Sequence, residues 1–120
     1  RDDLLGIWSA AELGKTPGGD LRQKKMTLPV LHAFETAAPA DRALLEAMYS
    51  ESQAASEAQI ATALAILERT GARARVRDAL RQAAHTARAA LDEAAGAAPQ
   101  AREAHSQLTM LLDWVIVADI

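Results

Sequence analysis

Two aspartates stand side by side at the start of this sequence, Asp2-Asp3, and lysines recur over the next two dozen residues at Lys15, Lys24 and Lys25. The stretch between them is broken by Gly14, Pro17, Gly18 and Gly19. Carboxylates are hard oxygen ligands that suit Mg²⁺, which keeps several waters and takes one or two protein carboxylates together with substrate phosphates. Lysine ammonium groups and free backbone N–H groups suit a phosphate or diphosphate. One short segment thus carries both halves of a metal-bridged diphosphate site. On chemistry alone a second reading stays open beside it, a solvated acidic pair followed by a flexible polar loop. Adjacent helical residues point ~100° apart, so Asp2 and Asp3 cannot claw a single ion. Each can offer an oxygen to neighbouring ions, or one can bind directly and the other through water.

The elements that must position these groups read as helices. Arg1 to about Trp8 is the end of one, with Leu4, Leu5 and Trp8 on a single stripe and its front outside the sequence. Ser9 to about Lys25 reads as a loop, and a connection this long is often functional. Thr27 is placed as an N-cap with Pro29 in the first turn. The helix behind it carries Leu28, Leu31 and Phe34, or Val30 and Phe34, on one face and stops near Ala38-Pro39. Asp41 opens a helix with Leu44, Leu45 and Met48, and Ser50-Glu51-Ser52 breaks it. Ser56 or a neighbour starts a helix with Ile60, Leu64 and Leu67, ended by Gly71. From Ala72 to about Ala95 the stripe is Val76, Leu80, Ala84, Ala87 and Leu91, with Arg73, Arg77, Arg81 and Arg88 off it as a solvated or dimer-facing surface. Gly96 to Pro99 is a turn, and a last helix carries Ala104, Leu108, Leu111, Leu112 and Val115. The fold class is all-α, with no strand alternation and no repeat of fixed length.

Composition narrows the function classes. The chain has 120 residues and a net charge of -3, so it holds at most one domain and lacks the basic face of a nucleic-acid binder. Hydrophobic residues make up 50%, but much of this is alanine and aromatics are only 3%, which favours helix while burying little area and leaves a core that gains from a partner surface. The absence of cysteine excludes disulfides and thiolate metal sites and fits a reducing, cytoplasmic setting. No apolar run approaches the ~20 residues of a transmembrane helix. His32, His85 and His105 have no metal-ligand spacing and read as helix-surface or core residues, and Trp8 and Trp114 as packing residues. The sequence starts without Met, which points to a processed, truncated or partly given polypeptide.

In order along the chain, Asp2-Asp3-Leu4-Leu5-Gly6, then Leu13-Gly14-Lys15-Thr16-Pro17-Gly18-Gly19-Asp20-Leu21, then Lys25-Met26-Thr27-Leu28-Pro29 resembles the second aspartate-rich motif and following loop of the trans-isoprenyl (polyprenyl) diphosphate synthases. Several spaced elements in order are far more specific than a lone DDxxD. The remaining helices resemble the C-terminal helices of that family, so residues 1–120 would be the C-terminal portion of one polyprenyl synthetase domain, about its last third, with the N-terminal segment missing. The resemblance implies an isoprenoid-synthase-type helical bundle around a central cavity, usually homodimeric. Mg²⁺ ions held by two aspartate-rich motifs would bind the diphosphate of an allylic substrate, whose ionisation is followed by attack of isopentenyl diphosphate. Asp2 and Asp3 would be metal ligands, and Lys15 and Lys25 would bind the allylic diphosphate and support its departure.

Two departures stand out. Gly6 occupies the place of the usual third aspartate, leaving the metal site weaker or water in its place. No arginine follows Trp114-Val115-Ile116-Val117, where the family often carries one. These departures keep in view a non-catalytic subunit that modifies a partner synthase. A ligand-free helical interaction module and a terpene cyclase of related fold are further alternatives, though the Gly14-Lys15 loop and Thr27-Leu28-Pro29 fit the synthases better than the cyclases. The 120 residues alone are expected not to catalyse chain elongation.

Overall fold

A computed structural model describes residues 1–8, 17–97 and 102–116. Across these residues the chain is all-α: α1 (Asp2–Trp8), α2 (Gly19–Arg22), α3 (Leu28–Thr36), α4 (Pro39–Ser50), α5 (Glu57–Arg69), α6 (Ala72–Ala97) and α7 (Arg102–Ile116). None of these helices is long and apolar enough to cross a membrane. The chain divides into two compact units, one spanning Asp2–Val76 and the other running from Arg77 onward.

Local sequence explains most helix boundaries. Ser56 caps α5 with a complete capping box: its Oγ accepts from the Gln59 N–H (3.3 Å), and Gln59 Oε1 accepts from the Ser56 N–H (2.9 Å). Gly71 follows the C-cap Thr70 with φ +68°, the left-handed turn that favours glycine. Asp41 lies in the first turn of α4 and binds Arg69 of α5 through both carboxylate oxygens (2.7 and 3.1 Å).

Two boundaries and one cap differ from the sequence expectation. The supposed loop up to Lys25 contains α2, entered through Gly18 at φ +69°. Its amide is held by the Ile7 carbonyl at 3.0 Å, so tertiary contact stabilises a helix that the glycines conceal. Second, Gly96 does not end α6, which continues to Ala97; one glycine costs a helix only ~1 kcal/mol relative to alanine, and its neighbours are strong helix formers. Third, Thr27 is indeed the N-cap residue of α3, but its side chain makes no capping bond.

In the first unit α5 is the central helix, packed against α2, α3 and α4, while α1 packs on α2 and α3. Ile60, Ala63, Ile66 and Leu67 of α5 meet Ile7, Leu21, Val30, Ala33, Leu45 and Met48 in one core. Each fully buried Leu or Ile contributes about 1.5–3 kcal/mol by leaving water. Of the two candidate faces of α3, the Val30 face is the buried one, and Leu28 and Leu31 are exposed. Leu44 of α4 is likewise exposed while Leu45 and Met48 are buried. Trp8 packs on the core, with its Nε1–H on Glu68 Oε1 (2.8 Å) and the Arg73 guanidinium 5.7 Å from its ring centre.

In the second unit α6 and α7 face each other across a shallow apolar groove lined by Leu91, Leu108, Leu112 and Val115. Arg88 pairs with Asp113, and His105 with Asp92 at 2.8 Å. Ala104, Leu108 and Leu111 are exposed on α7, and Trp114 is exposed too, at 65%, contrary to its expected packing role.

Candidate diphosphate site

Asp2 and Asp3 are the first two residues of α1. Asp2 is exposed and Asp3 partly buried. Asp3 reaches across to α3, where its Oδ2 accepts the Leu28 N–H at 2.9 Å. This bond satisfies the first amide of α3, at a helix start where Thr27 makes no side-chain capping bond. The Thr27 hydroxyl is itself buried and has no hydrogen-bond partner.

Lys25 follows a sharp bend at Lys24, a left-handed residue with φ 52°. Its own position is fixed three ways. Its N–H donates to the Asp20 carbonyl (2.9 Å), its carbonyl accepts from the Tyr49 hydroxyl (3.1 Å), and its Nζ donates to Asp20 Oδ1 (2.7 Å). Asp20 is 8% exposed, whereas the Lys25 side chain is 53% exposed. The ammonium therefore anchors on a buried carboxylate and keeps its remaining donors toward solvent. Asp20 holds the Lys25 ammonium above its ordinary pKa, first by this hydrogen bond and then by its charge, with smaller contributions from the charges of Asp2 and Asp3. Tyr49 is pushed up to about 12, first by burial and then by the Asp20 charge.

The structure thus brings Asp2, Asp3 and Lys25 into one electrostatic neighbourhood at the α1–α3 end of the first unit. Lys15 lies outside the described residues. Asp20 and Tyr49 complete the surroundings of Lys25, and sequence reading did not single them out. Asp20 was visible only as part of the Gly-Gly-Asp-Leu run, and its five-residue spacing to Lys25 was the available clue. Among the described residues no three His, Asp or Glu side chains converge to hold a metal by themselves.

Gly6 takes on a definite role. A Cβ added there would overlap Asp20 Oδ2 outright and lie 2.5 Å from Asp20 Cγ. The space beside Gly6 holds the Asp20 carboxylate.

The family model for polyprenyl synthetase matches residues 1–67, α1 through most of α5. The chain belongs to the polyprenyl synthetase family. It is 40% identical over 75 residues to a (2E,6E)-farnesyl diphosphate synthase of Mycobacterium tuberculosis, a match covering 60% of this chain and 21% of that protein. It is 38% identical over 88 residues to a nonaprenyl diphosphate synthase of the same organism, covering 72% of this chain and 26% of that one. Among solved structures, the polyprenyl synthetase from Streptomyces coelicolor A3(2) superposes with a TM-score of 0.78 at 34% identity, covering 97% of this chain and 35% of that chain. The chain therefore spans between about a fifth and a third of the length of these relatives.

Proposed function

We propose that this chain supplies one wall of the active site of a trans-prenyltransferase that joins an allylic diphosphate to isopentenyl diphosphate. The observation that carries the reading is the placement of Lys25, an exposed ammonium fixed on a buried carboxylate beside the Asp2-Asp3 pair, within the segment that matches the polyprenyl synthetases. Asp2 and Asp3 are the residues that would hold Mg²⁺. The residues fit that ion, because Mg²⁺ takes one or two carboxylates plus substrate phosphates and needs no closed protein cage. When bound, Mg²⁺ neutralises diphosphate charge and makes it a better leaving group.

Lys25, and by the family pattern Lys15, bind the allylic diphosphate and stabilise the charge that grows on it as the carbon–oxygen bond breaks and its electron pair leaves. The isopentenyl double bond then supplies the electrons of the new carbon–carbon bond, and a proton is lost. The farnesyl and nonaprenyl diphosphate synthases among the relatives support this reaction class. The same reading makes residues 1–120 the C-terminal portion of one polyprenyl synthetase domain in a cytoplasmic homodimer. The remainder of such a domain supplies the other wall, so the 120 residues alone do not elongate a prenyl chain.

Steady-state kinetics of the full-length enzyme test this. Asp2→Ala is expected to cut turnover of order 10²-fold, the size of losing one transition-state charge contact, and Lys25→Ala to raise the KM for the allylic diphosphate. Unchanged kinetics in both variants would remove the assignment.

A further inference from the structure

The turn that presents Lys25 closes α2 through two backbone bonds. The Lys24 N–H donates to the Leu21 carbonyl (3.0 Å) and the Lys25 N–H to the Asp20 carbonyl (2.9 Å). This paired closure needs a left-handed residue just past the helix end, a place that suits glycine because it has no Cβ to clash. Lys24 stands there at φ 52°, the one non-glycine residue of positive φ among the described residues. A side chain in that conformation is strained, so a contact of its own must offset the strain.

That contact is the Lys24 ammonium on the Glu51 carbonyl at 2.8 Å, at the C-cap of α4. A cation is favoured there by the unpaired carbonyls and the negative pole of the helix. The same end of α4 holds the next residue of the turn, through the Tyr49 hydroxyl on the Lys25 carbonyl. Glu51 is itself fixed, since Gln59 Nε2 donates to both of its carboxylate oxygens at 3.0 Å and Gln59 belongs to the capping box of α5. The end of α4 is thus a fixed platform, and the lysine turn is fastened to it at two points.

We infer that Lys24 is a positioning residue for Lys25 and not a second diphosphate ligand. Its ammonium is engaged by α4, and that bond holds a lysine in a turn that glycine would take without strain. Two adjacent lysines therefore divide the work: Lys24 fixes the turn, and Lys25 is presented by it. The positioning role rests on the diphosphate reading above; the anchored left-handed turn does not.

Glycine, which can hold the turn but carries no charge, separates the two roles. Thermal melts are compared for the full-length parent, Lys24→Ala and Lys24→Gly. Each is also titrated calorimetrically with inorganic pyrophosphate and Mg²⁺, well below every midpoint. Lys24→Ala keeps the strain and loses the anchor, so its midpoint should fall clearly below the parent's. Its pyrophosphate binding should weaken about three- to tenfold, as fewer folded chains present Lys25. Lys24→Gly should recover most of both losses without any ammonium.

A Lys24→Ala midpoint equal to the parent's, or a Lys24→Gly variant no more stable than Lys24→Ala, would overturn the anchored turn. Parent-like affinity in Lys24→Ala would overturn the positioning role. So would a Lys24→Gly variant as stable as the parent that binds as weakly as Lys24→Ala, because the Lys24 charge itself would then meet the ligand. A parent protein that does not bind pyrophosphate at all would remove the diphosphate reading and the positioning with it, while the melts still decide the turn.

Discussion

Asp3 has two jobs that one substitution pair can separate. Its Oδ2 accepts the Leu28 N–H at 2.9 Å and so closes the start of α3, where Thr27 makes no capping bond of its own. Losing a helix cap costs about 1 kcal/mol, and removing a negative charge from a helix N-terminus adds about 0.3–1 kcal/mol. Asp3→Ala should therefore destabilise the first unit by roughly 1–2 kcal/mol. For a chain of this size that lowers the thermal midpoint by about 4–8 °C, at roughly 4 °C per kcal/mol. Asp3→Asn retains an acceptor oxygen and should recover most of that loss, while failing, like Asp3→Ala, to support Mg²⁺-dependent diphosphate binding. Circular dichroism melts of the two variants, read beside pyrophosphate titrations, measure both jobs. A midpoint for Asp3→Ala equal to the parent's, or an Asp3→Asn variant as unstable as Asp3→Ala, would refute the capping role.

The remaining predictions concern the core and the support of Lys25. Leu67→Ala, at a fully buried position on the central helix, should cost about 2–5 kcal/mol in denaturant unfolding, because the removed atoms leave a cavity that the packed helices around α5 cannot close. Tyr49 is neutral in the folded state up to about 12, above its ordinary value of 10.0, so the folded chain holds its proton more tightly than the unfolded chain. Stability from this group is complete below pH 10.0 and is lost as pH rises toward about 12. Melts across that window should fall less steeply for Tyr49→Phe than for the parent, and parallel curves would contradict the assignment.

Much of the scaffold was legible because its determinants are local. Ser56 and Gln59 lie three residues apart and cap α5 together, and Gly71 marks the turn after it. The faces of α3 and α4 were less legible. A stripe such as Leu28, Leu31 and Phe34 fits helical spacing as well as Val30 and Ala33 do, and only the neighbouring helices decide which is buried. In the site, Asp2, Asp3 and Lys25 could be read from residue type and order. The bond from Asp3 to Leu28 spans 25 residues, and the meeting of Gly6 with Asp20 needs α2 folded back onto α1. Neither leaves a periodic trace. Gly6 therefore read only as a lost carboxylate, because its contact is with a side chain from another helix.

The central claim is that Asp2, Asp3 and Lys25 belong to one Mg²⁺-dependent diphosphate site. Its most direct test is calorimetric titration of inorganic pyrophosphate into the full-length protein, with Mg²⁺ and with the metal chelated, for the parent and for Lys25→Ala. The account predicts binding by the parent that requires Mg²⁺ and weakens about tenfold or more in Lys25→Ala. Equal affinity with and without the metal, or an unchanged affinity in Lys25→Ala, would contradict it.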